Sequence, residues 1–190
     1  MGDLKWQIIS SAYINKHIYF TARRDRCLRH DGVIVDPYYV VELPTGATAF
    51  ALTKENKVVM VRQYRHPVGE VSLETPGGFV DKGEAFDVAM KRELLEETGF
   101  EFEQVEYLGK FAANPGILNN YTEMFFATGG KKVAEQQLDK NEEIIVVELT
   151  IEEVIEQVMA QKIIQAAHVN CIFFALMKMG LLQFTLPVQT

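Results

Sequence analysis

The sequence predicts an α+β fold in which helices pack on a mixed β-sheet, with a small antiparallel sheet built from the N-terminal residues. Strand-like segments come first, one helix-like segment interrupts them, and two helix-like segments close the chain. This order differs from the regular strand–helix alternation of a doubly wound parallel sheet. The Pro44-Thr45-Gly46 turn divides the chain into an N-terminal strand section, residues 1–45, and a main domain, residues 46–190.

Strands are indicated by β-branched and aromatic runs that end at turn residues. The predicted strand segments, in order, are residues 4–43 with a turn at Asp31-Gly32, TAFALTKENKVVMVRQYR with a turn at Glu55-Asn56, VSLETPGG, FEQVEYLGKFAA, YTEMFFATGG and IIVVEL.

Three helices are expected. The first covers about residues 85–98 and ends at Gly99, a residue that readily adopts the left-handed conformation of a helix C-terminus. The second follows Thr150, which with Glu153 matches a capping box. The third covers about residues 162–180 and ends at a glycine.

Charge and composition limit the partners and the cellular location that the sequence predicts. The net charge of −7 disfavours nucleic acid as a partner, and no basic run offsets it. The two cysteines, Cys27 and Cys171, match neither zinc-site spacing nor a disulfide framework, which favours reduced thiols in a cytoplasmic protein. No signal peptide is expected, and polar residues interrupt the apolar C-terminal run, so no membrane association is expected.

Three glutamates stand out in the first helix. Glu93, Glu96 and Glu97 fall within about 100° of arc on a helical projection, and we expect Val88 and Leu95 to pack on the opposite side. Like charges at these spacings destabilise a helix by a few tenths of a kcal/mol per pair, and a bound cation would reverse that effect. Carboxylates suit Mg²⁺ or Mn²⁺. A solvated acidic face is the alternative.

Residues around the helix strengthen the metal hypothesis. Gly77 and Gly78 allow close backbone approach, so that a carbonyl such as that of Gly77 could join the metal shell. Glu84 stands at the helix entrance, where the helix dipole favours a carboxylate. Arg92 is placed to orient one of the carboxylates through a bidentate bond.

The complete spacing decides between the alternatives. It reads Gly78, five residues, Glu84, seven residues, Arg92-Glu93-Leu94, one residue, Glu96-Glu97, one residue, Gly99-Phe100. Position for position, this resembles the signature of the Nudix hydrolases, which fold as an α/β/α sandwich with a mixed sheet. The resemblance implies that the three glutamates bind Mg²⁺ or Mn²⁺, with more than one ion, and that the enzyme hydrolyses a diphosphate linked to a nucleoside.

Further motifs resemble the branch of ADP-ribose and nucleotide-sugar pyrophosphatases. These are VVMVRQYRHPV followed by LETPGG, the NPG loop, and the long N-terminal strand section. The resemblance implies that Arg65 approaches substrate phosphate, that Glu74 lies near the metal, and that Pro115 and Gly116 line the substrate site. It also implies a homodimer whose N-terminal sections supply aromatic groups to the base site. The candidates for base stacking are Trp6, Tyr13 and Phe20.

The catalytic base is open between two neighbours. The matching loop, LDKNEEIIVV, offers Glu142, which we prefer, and Glu143; Lys140 stands where some relatives carry an acidic residue. With Arg92 these complete the catalytic candidates, and Glu123 is a weaker alternative base. The two histidines considered as general acids, His66 and His168, stand alone in sequence and are given structural roles.

The sequence therefore predicts a Mg²⁺-dependent pyrophosphatase that cleaves ADP-ribose or a related nucleoside diphosphate sugar into a nucleoside monophosphate and a sugar phosphate. Two alternatives remain. One is a relative that cleaves nucleoside triphosphates, against which the Pro115 loop and the N-terminal section argue. The other is a nucleotide-binding module without activity, against which the intact glutamate set argues.

Overall fold

The structure, a computed structural model, describes residues 4–183. The chain forms two compact units. One contains the residues up to Thr45 together with Ala112–Tyr121, and the other contains Gly46–Phe111 and the chain from Thr122 onward. No helix among the described residues has the length and apolar character needed to cross a membrane.

The first unit is a three-stranded antiparallel sheet of β1 (Gln7–Asn15), β2 (Thr21–Leu28) and β3 (Ile34–Glu42), in that spatial order. The predicted turn at Asp31-Gly32 is present, with Gly32 at a φ of 84°. The segment Ala112–Tyr121 of this unit runs beside β3, where the Val41 N–H donates to the Ile117 carbonyl at 2.8 Å. The predicted small N-terminal sheet is thus confirmed.

The second unit is a mixed sheet with helices on both faces. Its elements are β4 (Gly46–Thr53), β5 (Val58–Arg65), β6 (Glu70–Glu74), α1 (Phe86–Thr98), β7 (Phe100–Glu101), β8 (Gln104–Phe111), β9 (Thr122–Lys132), β10 (Ile144–Leu149), α2 (Ile151–Met159) and α3 (Ala166–Lys178). The main path runs β10-β5-β4-β9-β7, with β6 on β5 and β8 on β9. The β4–β9 pair is parallel and the other pairs are antiparallel, which confirms the mixed sheet.

Alternation along β4 divides the core into two layers, since successive strand residues point to opposite faces. Phe50 and its neighbours pack with Ile172 of α3 and Val154 of α2, whereas Ala49 packs with Met90 of α1. Because helices cover both faces, β4 is buried along almost its whole length. The α+β sandwich is therefore confirmed.

The helix ends follow their local signals. Gly99 ends α1 in the left-handed region at a φ of 74°, and its N–H donates to the Leu95 carbonyl at 2.8 Å. Thr150 and Glu153 form the predicted reciprocal capping box of α2, since each side chain accepts from the other residue's backbone N–H.

Two helix predictions need correction. The third helix begins at Ala166 rather than near residue 162, because Gln165 has extended dihedrals and Ile163 is buried in the core from a non-helical connector. Val88 does not lie on a packing face, since 52% of it is exposed. The buried side of α1 instead carries Met90, Leu94 and Glu97. The sequence projection assumed that all three glutamates avoid the core, and this assumption misplaced the apolar stripe.

Gly99 and Gly83 provide a matched test of the close packing behind α1. Both have positive φ, but a Cβ at Gly99 would lie 2.1 Å from the Ala134 carbonyl oxygen, whereas a Cβ at Gly83 would meet no atom within 4 Å. We expect Gly83→Ala to lower the free energy of unfolding by about 1 kcal/mol through its dihedral alone, and Gly99→Ala by more than about 3 kcal/mol. Urea unfolding followed by circular dichroism measures both. Equal losses would contradict the packing at Gly99.

Candidate active site

The segment from Thr75 to Gly78 is pressed against β4. The Ala49 N–H donates to the Pro76 carbonyl at 3.1 Å, and the Ala47 N–H donates to the Gly78 carbonyl at 2.8 Å. Gly77 has a φ of 152°, and a Cβ there would lie 2.1 Å from the Ala47 carbonyl oxygen. A glycine is therefore required at this position, and the tight approach fixes where its N–H points.

Glu97 and Glu93 face this segment from α1. The Gly77 N–H donates to Glu97 Oε2 at 2.7 Å. A Cβ at Gly78 would lie 2.5 Å from Glu93 Oε2, so that the missing side chain leaves the space that the carboxylate occupies. The two adjacent glycines thus have separate functions. Gly77 contacts Glu97 through its N–H. The role of the Gly77 carbonyl as a metal ligand stays a prediction.

Arg92 holds the other carboxylates together. Its Nε and Nη2 donate to the two carboxylate oxygens of Glu84, each at 3.0 Å. Its Nη1 donates to Glu93 Oε1 at 2.8 Å and to Glu96 Oε2 at 2.9 Å. The guanidinium therefore bridges three carboxylates and orients two of the three predicted metal ligands.

The protein's own groups compensate the charges of Glu97 and Glu93 only in part. Burial raises the pKa of Glu97 to about 8, the Gly77 N–H opposes this shift, and the charges of Glu93 and Glu142 add to it. Burial also raises the pKa of Glu93, against the effect of Arg92. Negative charge is therefore concentrated here at a cost that a cation would relieve.

The pKa of Glu74 shifts in the opposite direction, because its hydrogen-bond donors outweigh the effect of burial. Arg65 donates to it in a bidentate pair, from Nε at 2.8 Å and from Nη2 at 2.5 Å. Burial alone would raise the pKa of Glu74, but hydrogen bonds from Arg65 and His168 outweigh it and hold that pKa at about 2. Glu97 and Glu142 both help to raise the pKa of Arg65, so this arginine lies within electrostatic reach of both carboxylates.

Of the two loop glutamates, Glu142 is the one whose charge contributes to the pKa shifts of Glu93, Glu97 and Arg65. Its side chain accepts from the Asp139 N–H at 3.0 Å. Both Glu142 and Glu143 are exposed. The alternative base, Glu123, is buried on β9 and accepts from the Tyr107 hydroxyl at 2.7 Å.

In the first unit, Trp6 and Pro115 line one cavity of about 390 Å³. Tyr38, which the sequence did not single out, connects them: its ring meets Trp6 edge-on at 6.0 Å between centroids, and its hydroxyl donates to the Gly116 carbonyl at 2.9 Å. Strand periodicity could have placed Tyr38 on a face with its neighbours, but its contact with the distant loop has no local signal.

Comparison with known proteins agrees with this geometry. A family model described as the NUDIX domain matches residues 42–168. The chain belongs to the Nudix family. A second model, described as the nucleoside diphosphate sugar hydrolase N-terminal domain, matches residues 6–41.

Individual relatives of this Nudix protein extend the comparison. It is 39% identical over 125 residues to a methanol dehydrogenase activator of Bacillus methanolicus, covering 65% of this chain and 68% of that one. It is 29% identical over 143 residues to an ADP-ribose pyrophosphatase of Bacillus subtilis, covering 75% and 77%. The crystal structure of an ADP compounds hydrolase superposes with a TM-score of 0.81 over 96% of this chain and 100% of that one, at 18% identity, which shows a shared fold.

The residues of the Nudix helix fit a divalent metal by their chemistry. Within residues 4–183, no three histidine, cysteine, aspartate or glutamate side chains are already gathered as a coordination group. The donor set of Glu93, Glu96 and Glu97 nevertheless consists of hard carboxylate oxygens, and two of these side chains have pKa values raised by burial. A cation bound by these three glutamates would compensate that charge.

The Arg65–Glu74 pair predicts a specific acid sensitivity. The folded pKa of Glu74, about 2, lies below the ordinary glutamate value of 4.5, so its ionised form stabilises the fold above pH 4.5 and this contribution is lost as the pH falls towards 2. We expect the free energy of unfolding to drop by up to about 3 kcal/mol more in the wild type than in Glu74→Gln over this window. Denaturant unfolding at several pH values measures this difference. Glu55→Gln, in an exposed turn, is the control and should behave as the wild type does.

Proposed function

We propose that this protein is a divalent-metal-dependent hydrolase that cleaves the diphosphate of ADP-ribose or a related nucleoside diphosphate sugar. The products are a nucleoside monophosphate and a sugar phosphate. The observation that carries the proposal is the set of three glutamates on α1. Glu93 and Glu97 lie against the two glycines, and Glu96 is held by Arg92. Glu97 is within electrostatic reach of Arg65, which Glu74 holds. Negative oxygens for a metal and a positive group for phosphate are what a diphosphate hydrolase requires.

The matched relatives support the substrate class. The relative from Bacillus subtilis is named for ADP-ribose, and the family matched by residues 6–41 is described by nucleoside diphosphate sugars. Both matches point to a diphosphate with a nucleoside on one side. We favour this class over nucleoside triphosphates for that reason.

The chain's residues divide the chemistry between them. Mg²⁺ or Mn²⁺ held by the α1 glutamates, as more than one ion, would neutralise the diphosphate oxygens and acidify water. Arg65 keeps its Nη1 without a hydrogen-bond partner among residues 4–183, so it can donate to a phosphate oxygen. Glu142 takes the proton from the attacking water as the water oxygen bonds to phosphorus. The bond from that phosphorus to the bridging oxygen breaks, and its electron pair leaves with the other phosphate. Arg92 keeps Glu93 and Glu96 oriented.

The first unit is proposed to bind the nucleoside and to form a homodimer. Trp6, Pro115 and Gly116 come together with Tyr38, an aromatic group suited to a base.

All nine residues of β1 are exposed, and this edge strand carries isoleucines that a second copy could cover. Both cysteines are buried thiols, in keeping with a cytoplasmic protein.

A substrate panel with Mg²⁺ and Mn²⁺ tests the activity. We expect release of a nucleoside monophosphate from ADP-ribose or another nucleotide sugar, and Glu97→Gln should lower kcat at least about 100-fold because it removes a metal ligand. Glu101→Gln, an exposed change on β7, is the control and should retain full activity. Cleavage of triphosphates alone would favour an enzyme that acts on nucleoside triphosphates. Binding of nucleotides without turnover would favour a non-catalytic module.

The base assignment has its own matched pair. Glu142→Gln should lower kcat by about 10² to 10⁴ because it removes the proton acceptor, whereas the same change at the adjacent Glu143 should alter kcat less than about threefold. Steady-state kinetics on the best substrate of the panel measures both. The reverse order of effects would move the base to Glu143.

The dimer proposal is tested by light scattering after size-exclusion chromatography. Ile14 on β1 and Ile145 on β10 are equally exposed, at 61% and 60%, and both lie on edge strands. The wild type should have the mass of a dimer, and Ile14→Lys should shift it towards the monomer because a charge would be buried at the interface. Ile145→Lys should remain dimeric. A monomeric wild type would sink the proposal.

A further inference from the structure

A buried polar network connects α3 to Arg65. Glu74, at the end of β6, is only 1% exposed, and His168 on α3 is 6% exposed. His168 Nε2 lies 3.1 Å from Glu74 Oε2, the same oxygen that accepts from Arg65 Nη2 at 2.5 Å. The carboxylate is thus held by two donors from different elements, one on β5 and one on α3.

The hydrogen-bond pattern fixes the histidine ring. Nε2 faces two acceptors, Glu74 Oε2 and, at 2.7 Å, Gln165 Oε1, and it must therefore carry a hydrogen. Nδ1 lies 2.7 Å from the hydroxyl oxygen of Thr75, which can donate to it. The ring therefore has one defined orientation, in which the Nε2–H donates to Gln165 Oε1 and also lies 3.1 Å from Glu74 Oε2.

Arg65 depends on this carboxylate for its own position. Its Nε and Nη2 are both used in the bidentate pair with Glu74, while 42% of the side chain is exposed and Nη1 has no hydrogen-bond partner among the described residues. A long arginine side chain at an exposed site has several rotamers of similar energy. The fixed plane of Glu74 is what selects one of them.

We propose that His168 is a positioning residue for the substrate-binding Arg65, acting by clamping the Glu74 carboxylate that holds the guanidinium. This inference rests on the proposed function only in taking Arg65 as a phosphate-binding group. It assigns to α3, which contributes none of the predicted site residues, control over the orientation of a phosphate donor.

The kinetic test separates positioning from a merely structural role. His168→Phe keeps a ring of similar volume but removes the contacts of the ring nitrogens with Glu74, Gln165 and Thr75. His168→Gln keeps a donor that can reach Glu74. An arginine contact with a non-reacting phosphate oxygen is made in both the ground state and the transition state. We therefore expect His168→Phe to raise KM for ADP-ribose with Mg²⁺ about tenfold, with kcat changed less than about threefold. His168→Gln should recover most of the loss.

Two further variants complete the kinetic test. Cys171→Ala alters another buried residue of α3 and should leave KM unchanged even though it lowers stability. Arg65→Lys should reproduce the rise in KM, and the double variant with His168→Phe should show little additional rise, because both changes remove the same interaction. Additive effects, or an unchanged KM in His168→Phe, would overturn the proposal.

A measurement on the protein without substrate makes the test independent of the proposed function. The Arg65 Nε–H that donates to Glu74 should give a slowly exchanging side-chain signal in a nitrogen–proton NMR spectrum, identified by its loss in Arg65→Lys. We expect this signal to be lost or broadened in His168→Phe and kept in His168→Gln and Cys171→Ala. If no nucleotide sugar is hydrolysed, the proposed function fails while this spectrum still decides the inference. An unaltered signal in His168→Phe would refute the clamp.

Discussion

The site depends on the close approach of the Thr75–Gly78 segment to β4. This approach leaves no space for a side chain at Gly77 and directs its N–H at Glu97. It also places Gly78 where the Glu93 carboxylate replaces a side chain. Two glutamates one helical turn apart are thereby brought against backbone and away from solvent. Without the glycines, the same helix would present its acidic residues to water, which is the ordinary place for them.

Once the carboxylates are buried, the placement of the arginines decides whether burial raises or the arginine lowers the pKa of each one. Glu74 and Glu97 are both buried, yet their pKa values move in opposite directions, to about 2 and about 8. The difference lies in the donors: Glu74 accepts a bidentate guanidinium and an imidazole, whereas Glu97 accepts a neutral backbone N–H among the residues described. The fold therefore stabilises one carboxylate through its own cations and leaves the other under-compensated.

Local features were predictable because their causes are local. The spacing of Glu93, Glu96 and Glu97, the left-handed end at Gly99 and the capping box at Thr150 each follow from a few neighbouring residues. The clamp of His168 on Glu74 joins residues that are distant along the chain, so His168 looked solitary in sequence. The apolar stripe of α1 was misplaced for a related reason. Whether Glu97 shares the buried side with Met90 depends on the glycine segment, which is not part of the helix.

Charge connects these points to the proposed reaction. The site places six glutamates, Glu74, Glu84, Glu93, Glu96, Glu97 and Glu142, within hydrogen-bonding or electrostatic reach of two arginines, in a chain of net charge −7. A diphosphate would be repelled by such a group, because the positive charge of Arg65 and Arg92 is already offset by their partners. In the proposed reaction, attraction would therefore come from cations on the α1 glutamates. The arginines would then contribute geometry. Arg92 would hold the proposed metal ligands Glu93 and Glu96 in place, and Arg65, held by Glu74, would offer a donor of fixed direction to a phosphate.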